Sequence, residues 1–142
     1  MCGITGFWEV PFRPKGELNK MAQSMANAIA HRGPDDSGAW SDPQAGIALG
    51  HQRLSIIDLS PAGHQPMASS SGRFVIAFNG EIYNHLELRA ELDDSSNSSG
   101  HHGVAGATLK WRGHSDTETL LAGFERWGVA ATLAKTVGMF AI

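Results

Sequence analysis

Three short and mainly apolar stretches, Gly3 to Val10 with little polarity between, Phe74 to Phe78 and Gly138 to Ile142, set the tightest limit on how this chain can fold. A strand with no polar face must be covered on both sides, so these segments call for layers above and below them. Between them the periodicity changes to that of helices. Leu18, Met21, Ala22, Met25 and Ile29 recur at three and four residues, and Gly33 with Pro34 caps and stops that helix near His31-Arg32. Asn84 and Glu87 open a second helix with Leu88 and Leu92 on one face. Ser115 and Glu118 form a capping box, followed by a stripe of Leu120, Leu121, Phe124 and Trp127. Helices layered on sheets are the implied architecture.

The remaining segments are less regular. Gly46 to Leu59 reads as strand, turn and strand, broken by Gly50 to Arg53. Pro61, Gly63 and Pro66 mark a loop, and a short strand is expected near Leu109. Asn79-Gly80 is a strong hairpin signal, yet the helix start at Asn84 places it at a strand end leading into a helix. The Ser- and Gly-rich stretch at 93–106 reads as a flexible surface insertion. Its His101-His102 pair, with no cysteine nearby, reads as solvated rather than metal-binding, so no metal site is expected. The sequence stops within an apolar strand pattern, which suggests a domain truncated at its C-terminal end.

At 142 residues the chain is sized for one domain, and 42% hydrophobic with 18% charged residues is an ordinary globular balance. A net charge of −3 without a basic patch argues against nucleic acid. No apolar run is long enough to span a bilayer, and no signal peptide opens the chain. The single cysteine excludes an internal disulfide and points to the cytoplasm.

That cysteine is residue 2. Removal of Met1 makes it the N-terminal residue, so one residue then carries both a thiol and an α-amine whose ordinary pKa is about 7.7–8.0. The amine can take the thiol proton and later return it to a leaving group, and the thiolate attacks carbonyl carbon. The plain alternative is a small buried residue opening a strand. Arg53 interrupts an apolar run, where its guanidinium suits a carboxylate, either a ligand's or that of Asp58. Asn79 and Gly80 can offer a side-chain amide and a main-chain N–H to an oxyanion, or merely make a turn. Glu81 and Asp116 can hold an ammonium group, or simply stand near helix N-termini. Together these groups match an α-amino acid that carries a side-chain amide.

The segments Met1-Cys-Gly-Ile-Thr-Gly6, His31-Arg-Gly-Pro-Asp35, Arg53-Leu-Ser-Ile-Ile-Asp58, Phe78-Asn-Gly-Glu-Ile-Tyr-Asn84 and Gly113-His-Ser-Asp-Thr-Glu118 resemble those of class II glutamine amidotransferases. Among these the match is nearest to the glutaminase domain of glutamine-hydrolysing asparagine synthetases. It covers nearly the whole chain except about 93–110. The resemblance implies an α+β fold of the N-terminal-nucleophile hydrolase type, a four-layer α/β/β/α sandwich of antiparallel sheets. It implies that residues 1–142 form a partial type 2 amidotransferase domain, with the insertion at about 93–106. Cys2 matches the nucleophile, and Asn79 with the N–H of Gly80 matches the oxyanion hole. Arg53 matches the residue gripping the glutamine carboxylate, with Leu54, Ser55, Ile56 and Ile57 lining the pocket beside it. Glu81 and Asp116 match groups that orient the amine, and Arg32 with Gly33 matches a loop packed near the nucleophile.

The implied reaction releases ammonia from L-glutamine through a Cys2 thioester. ATP and magnesium belong to a downstream synthetase domain that activates aspartate, and no segment of this chain carries that domain's nucleotide-binding loop. The resemblance leaves open a homodimer of the full-length protein. Two other readings also stay open. One is a glutaminase serving another acceptor, such as a cell-surface sugar or secondary metabolite. The other is an inactive domain of the same fold used for binding or regulation.

Overall fold

A computed structural model describes residues 2–10, 13–97 and 109–142. Helix α1 (Lys15–Ala28) lies on a three-stranded antiparallel sheet of order β1-β3-β2, built from β1 (Gly3–Trp8), β2 (Asp36–Asp42) and β3 (Ile47–Arg53). The helix presents Leu18, Ala22 and Ala26, four residues apart, to that sheet, and all three are fully buried. Alanine at two of these positions lets the backbones approach closely. Met21 and Met25, expected on the same stripe, are more than a third exposed, because the buried line is narrower than the apolar one.

The helix passes into a 3-10 turn at Ala30–Arg32, so it ends where the sequence suggests. Gly33 caps that turn, its N–H donating to the Ala30 carbonyl at 3.2 Å, and it also permits a close approach. Its backbone is extended, and a Cβ would stand 2.5 Å from the main chain at Gln52 and Arg53. The same turn lies over the start of β1, since a Cβ on Gly3 would meet Ile29 at 2.5 Å and Arg32 at 3.2 Å.

Gly50 to Arg53 does not break a strand. These residues continue β3, pairing with β1 through Gly3↔Gln52 and with β2 through Asp36↔Arg53. Gly50 is small because α1 passes over it, with Ala22 O 2.6 Å from where a Cβ would be. The true turn is at 43–46, between β2 and β3.

The second half packs α2 (His85–Asn97), α3 (Asp116–Trp127) and α4 (Val129–Lys135) with two short antiparallel pairs. One pair is β4 (Met67–Ala68) with β5 (Val75–Ile76); the other is β6 (Asn79–Ile82) with β7 (Gly138–Ala141). The strand expected over Phe74 to Phe78 is thus only two residues long. Asn79-Gly80 begins a strand instead of ending one. Gly80 has φ +153°, and any side chain there would strike the backbone of β7 at Met139 and Phe140. Leu88, Leu92, Leu120, Leu121 and Phe124 are buried as their spacing predicts.

The Ser115 hydroxyl accepts from the Glu118 N–H at 3.2 Å, half of a capping box; the Glu118 carboxylate turns to other donors. No strand forms at Leu109. Helix α2 runs through residues 93–97, into the expected insertion. The rest of that insertion, His101 and His102 included, and Met1 lie outside the described residues. No helix among the described residues is long and apolar enough to cross a membrane.

Candidate active site

The end of β3 and the start of β1 meet at one mouth because Gly3 pairs with Gln52. Cys2 and Leu54, the next residues outward on each strand, are therefore neighbours. The Leu54 N–H donates to Cys2 Sγ at 3.3 Å, and the thiol donates to the Leu54 carbonyl at 3.6 Å. Cys2 is half-buried and is the one free thiol. It opens into a cavity of about 230 Å³. That is below the roughly 300–1,000 Å³ usual for drug-sized ligands, so the space suits a small metabolite.

Arg53, Leu54, Ile56, Ile57, Asn79, Gly80, Glu81 and Asp116 line the same cavity with Cys2. Nearly every residue singled out from the sequence is thereby brought to one place. Arg32 and Gly33 do not line the cavity, and neither does Ser55. Its N–H donates to Asp35 Oδ2 at 2.7 Å, and it lines a neighbouring open cleft with Asp35, Asp36 and His64.

Arg53 is buried, and its guanidinium is aimed by main-chain carbonyls. Nη1 donates to Ser60 O at 3.0 Å and Nη2 donates to Asp58 O. The partnership with Asp58 weighed from the sequence therefore runs through that residue's carbonyl rather than as an ion pair. Gly63 leaves room for the guanidinium, which a side chain there would overlap.

The opposite wall is β6 and the first turn of α3. Asp116 opens α3, and its buried carboxylate accepts from the N–H of Thr117 at 2.8 Å and of Ile82 at 3.0 Å. The second bond straps β6 beside Gly80. Glu81 lies on β6, not at a helix start, and is exposed at the rim. Asn79 Oδ1 is buried and finds no partner among the described residues.

Three residues whose supporting roles the sequence did not show, His51, Gln65 and Asp58, hold the walls together. His51 is fully buried, and its Nε2 is 3.0 Å from the carbonyl of Phe78, just before Asn79. Gln65 accepts the Phe78 N–H at 2.7 Å and donates to Thr117 Oγ1 at 3.4 Å. Asp58 accepts the His114 N–H at 2.7 Å. His51 and Asp58 sit in or beside a quoted motif and Gln65 in the loop marked by Pro61, Gly63 and Pro66, but nothing in their spacing tells which distant amide or carbonyl each meets. Among the described residues, no group of three or more His, Cys, Asp or Glu is arranged to hold a metal ion.

The family model described as a glutamine amidotransferase domain matches residues 1–142. The chain is 38% identical to asparagine synthetase 1 (glutamine-hydrolysing) of Bacillus subtilis and 37% identical to asparagine synthetase B (glutamine-hydrolysing) of Escherichia coli. Both alignments cover 99% of this chain, and 20% and 22% of those proteins. It is also 33% identical to amidase chry2 of Gibberella zeae, over 92% of this chain and 19% of that protein. The chain spans about a fifth of the length of the curated relatives it matches.

Proposed function

Because the chain belongs to the glutamine amidotransferase domain family, we propose that it is the glutaminase unit of an asparagine synthetase, hydrolysing the side-chain amide of L-glutamine at Cys2. The observation that carries this is the convergence of Cys2, Arg53, Asn79, Gly80, Glu81 and Asp116, far apart in sequence, on a single small cavity. Residues 1–142 are part of an amidotransferase domain, and the antiparallel sheets with their helices are parts of a four-layer sandwich.

In this reading Met1 is removed and the α-amine of Cys2 takes the thiol proton. Sγ then bonds to the amide carbon of glutamine. The carbonyl electron pair moves onto oxygen, where the Asn79 amide and the Gly80 N–H stabilise it. Collapse breaks the carbon–nitrogen bond, and the ammonium of Cys2 gives its proton to the departing ammonia. Water adds to the thioester, its proton passing to the amine. The carbon–sulfur bond breaks, glutamate leaves and the thiol is restored. Arg53 grips the α-carboxylate, while Glu81 and Asp116 hold the α-amine. Leu54, Ile56 and Ile57 line the side-chain path. Thiol, amine and water supply the chemistry of this half. A downstream domain using ATP and magnesium would activate aspartate, in a cytoplasmic enzyme.

Intact mass before and after an electrophilic glutamine mimic tests the reading. The expected protein lacks Met1 and gains one adduct that glutamine blocks and Cys2→Ala abolishes. Asn79→Ala still takes the label but turns glutamine over ~10²–10³ more slowly. A Met1-free protein that takes no adduct, or Asn79→Ala at the wild-type rate, overturns it.

A further inference from the structure

Asp58 ties together the two sides of the cavity that would receive the α-groups of the substrate. It is 6% exposed. Oδ1 accepts from the Ser60 N–H at 2.8 Å, closing the loop after β3. Oδ2 accepts from the His114 N–H at 2.7 Å, two residues before Asp116. Its main-chain carbonyl accepts from Arg53 Nη2. Position 113 is glycine, and a methyl group there would collide with Asp58 Oδ2. Hydrogen bonding from Ser60 above all, then the His114 amide, holds the Asp58 carboxyl down to about 2 against the opposing effect of burial. At neutral pH it is therefore an acceptor-only group facing two N–H donors.

We propose that Asp58 is a positioning residue that fixes the separation of Arg53 and Asp116, so that the site selects amides bearing both an α-carboxylate and an α-amine. This rests on the function proposed above. Asparagine at 58 would turn an NH2 toward one of the two amide donors and loosen the link. Both α-groups would then lose their grip together, while the thiol, Asn79 and Gly80 stay in place.

The test compares kcat/KM for three amides: L-glutamine, 4-carbamoylbutanoate, which lacks the amine, and 4-aminobutanamide, which lacks the carboxylate. Asp58→Asn is expected to reduce the preference for L-glutamine over both analogues by about tenfold or more, the scale of hydrogen bonds to charged groups. Gly113→Ala attacks the same link from the other side without changing charge, and is expected to do the same. It also serves if Asp58→Asn does not fold. Equal loss on all three amides would reduce Asp58 to a structural role and overturn the proposal. Loss of the amine preference alone would make Asp58 a direct ligand of the ammonium and also overturn it. No hydrolysis of any amide by the wild-type chain would instead defeat the underlying functional reading.

Discussion

The imidazole of His51 has no exposed surface, and one of its nitrogens, Nδ1, meets no partner among the described residues. Nε2–H donates to the Phe78 carbonyl, and a charged ring would in addition bury an Nδ1–H with no acceptor beside it among the described residues, which favours the neutral ring. Burial pushes its pKa below the ordinary 6.5; the Phe78 carbonyl and Asp36 work against this, while Arg53 and His64 add to it. The unfolded chain thus takes up a proton near pH 6.5 that the folded chain refuses. Folding stability is therefore full above that pH and declines as pH falls below it. Melting temperatures from pH 7.5 to 5.5 are expected to drop more in the wild type than in His51→Gln, which keeps a donor for Phe78 O but carries no proton. Parallel curves for the two proteins would show that the site does not penalise the charged ring.

At the scale of elements, the start of α3 depends on what its first turn holds. Glu118 accepts from the N–H groups of Arg112 at 2.7 Å and Gly113 at 3.1 Å, and from Arg89 Nη2 at 3.2 Å. The Arg89 and Glu118 side chains are 12% and 10% exposed, so their pair is close to a buried one. Breaking such a pair by removing one partner costs about 3–5 kcal/mol. For Glu118→Ala the lower end, about 3 kcal/mol, is expected, because Arg89 keeps the Gly113 carbonyl and the face of Trp111. Urea unfolding measures it; a loss under about 1 kcal/mol would place the pair in the class of exposed salt bridges. None of this is visible in sequence, where Ser115 and Glu118 spell a reciprocal cap. The helix itself was legible, because one hydroxyl and one apolar stripe suffice to define it. Strand β2, Asp-Ser-Gly-Ala-Trp-Ser-Asp, was not, since polar residues with a central glycine become a strand only through pairing with β3. Helix α4 was also hidden, being seven residues long and set off only by Gly128 at φ +85°. The site residues were legible as motifs; their supports, Asp58, His51 and Gln65, act over distances that no local pattern encodes.

At the scale of the whole molecule, the described residues form two apolar cores: Leu18, Ala22 and Ala48 between α1 and its sheet, and a larger one around Ile82, Leu120 and Phe124. The cavity lies where the two meet, with Cys2 and Arg53 from the first side and Asn79, Gly80 and Asp116 from the second. Polar links cross this seam from His51 to Phe78 and from Asp58 to His114. An occupant held by both walls should act as a further link, raising the free energy needed to open either wall alone. Hydrogen exchange on the protein carrying a glutamine-mimic adduct at Cys2 reads this directly. Protection is expected to rise at residues 52–58 and also at 79–82 and 115–118. The loop at 69–73, which lines neither cavity, should exchange unchanged and serves as the reference. Protection confined to the first segment would mean that the adduct touches only the wall it is bonded to, with Asp116 and Glu81 taking no part in holding the amine.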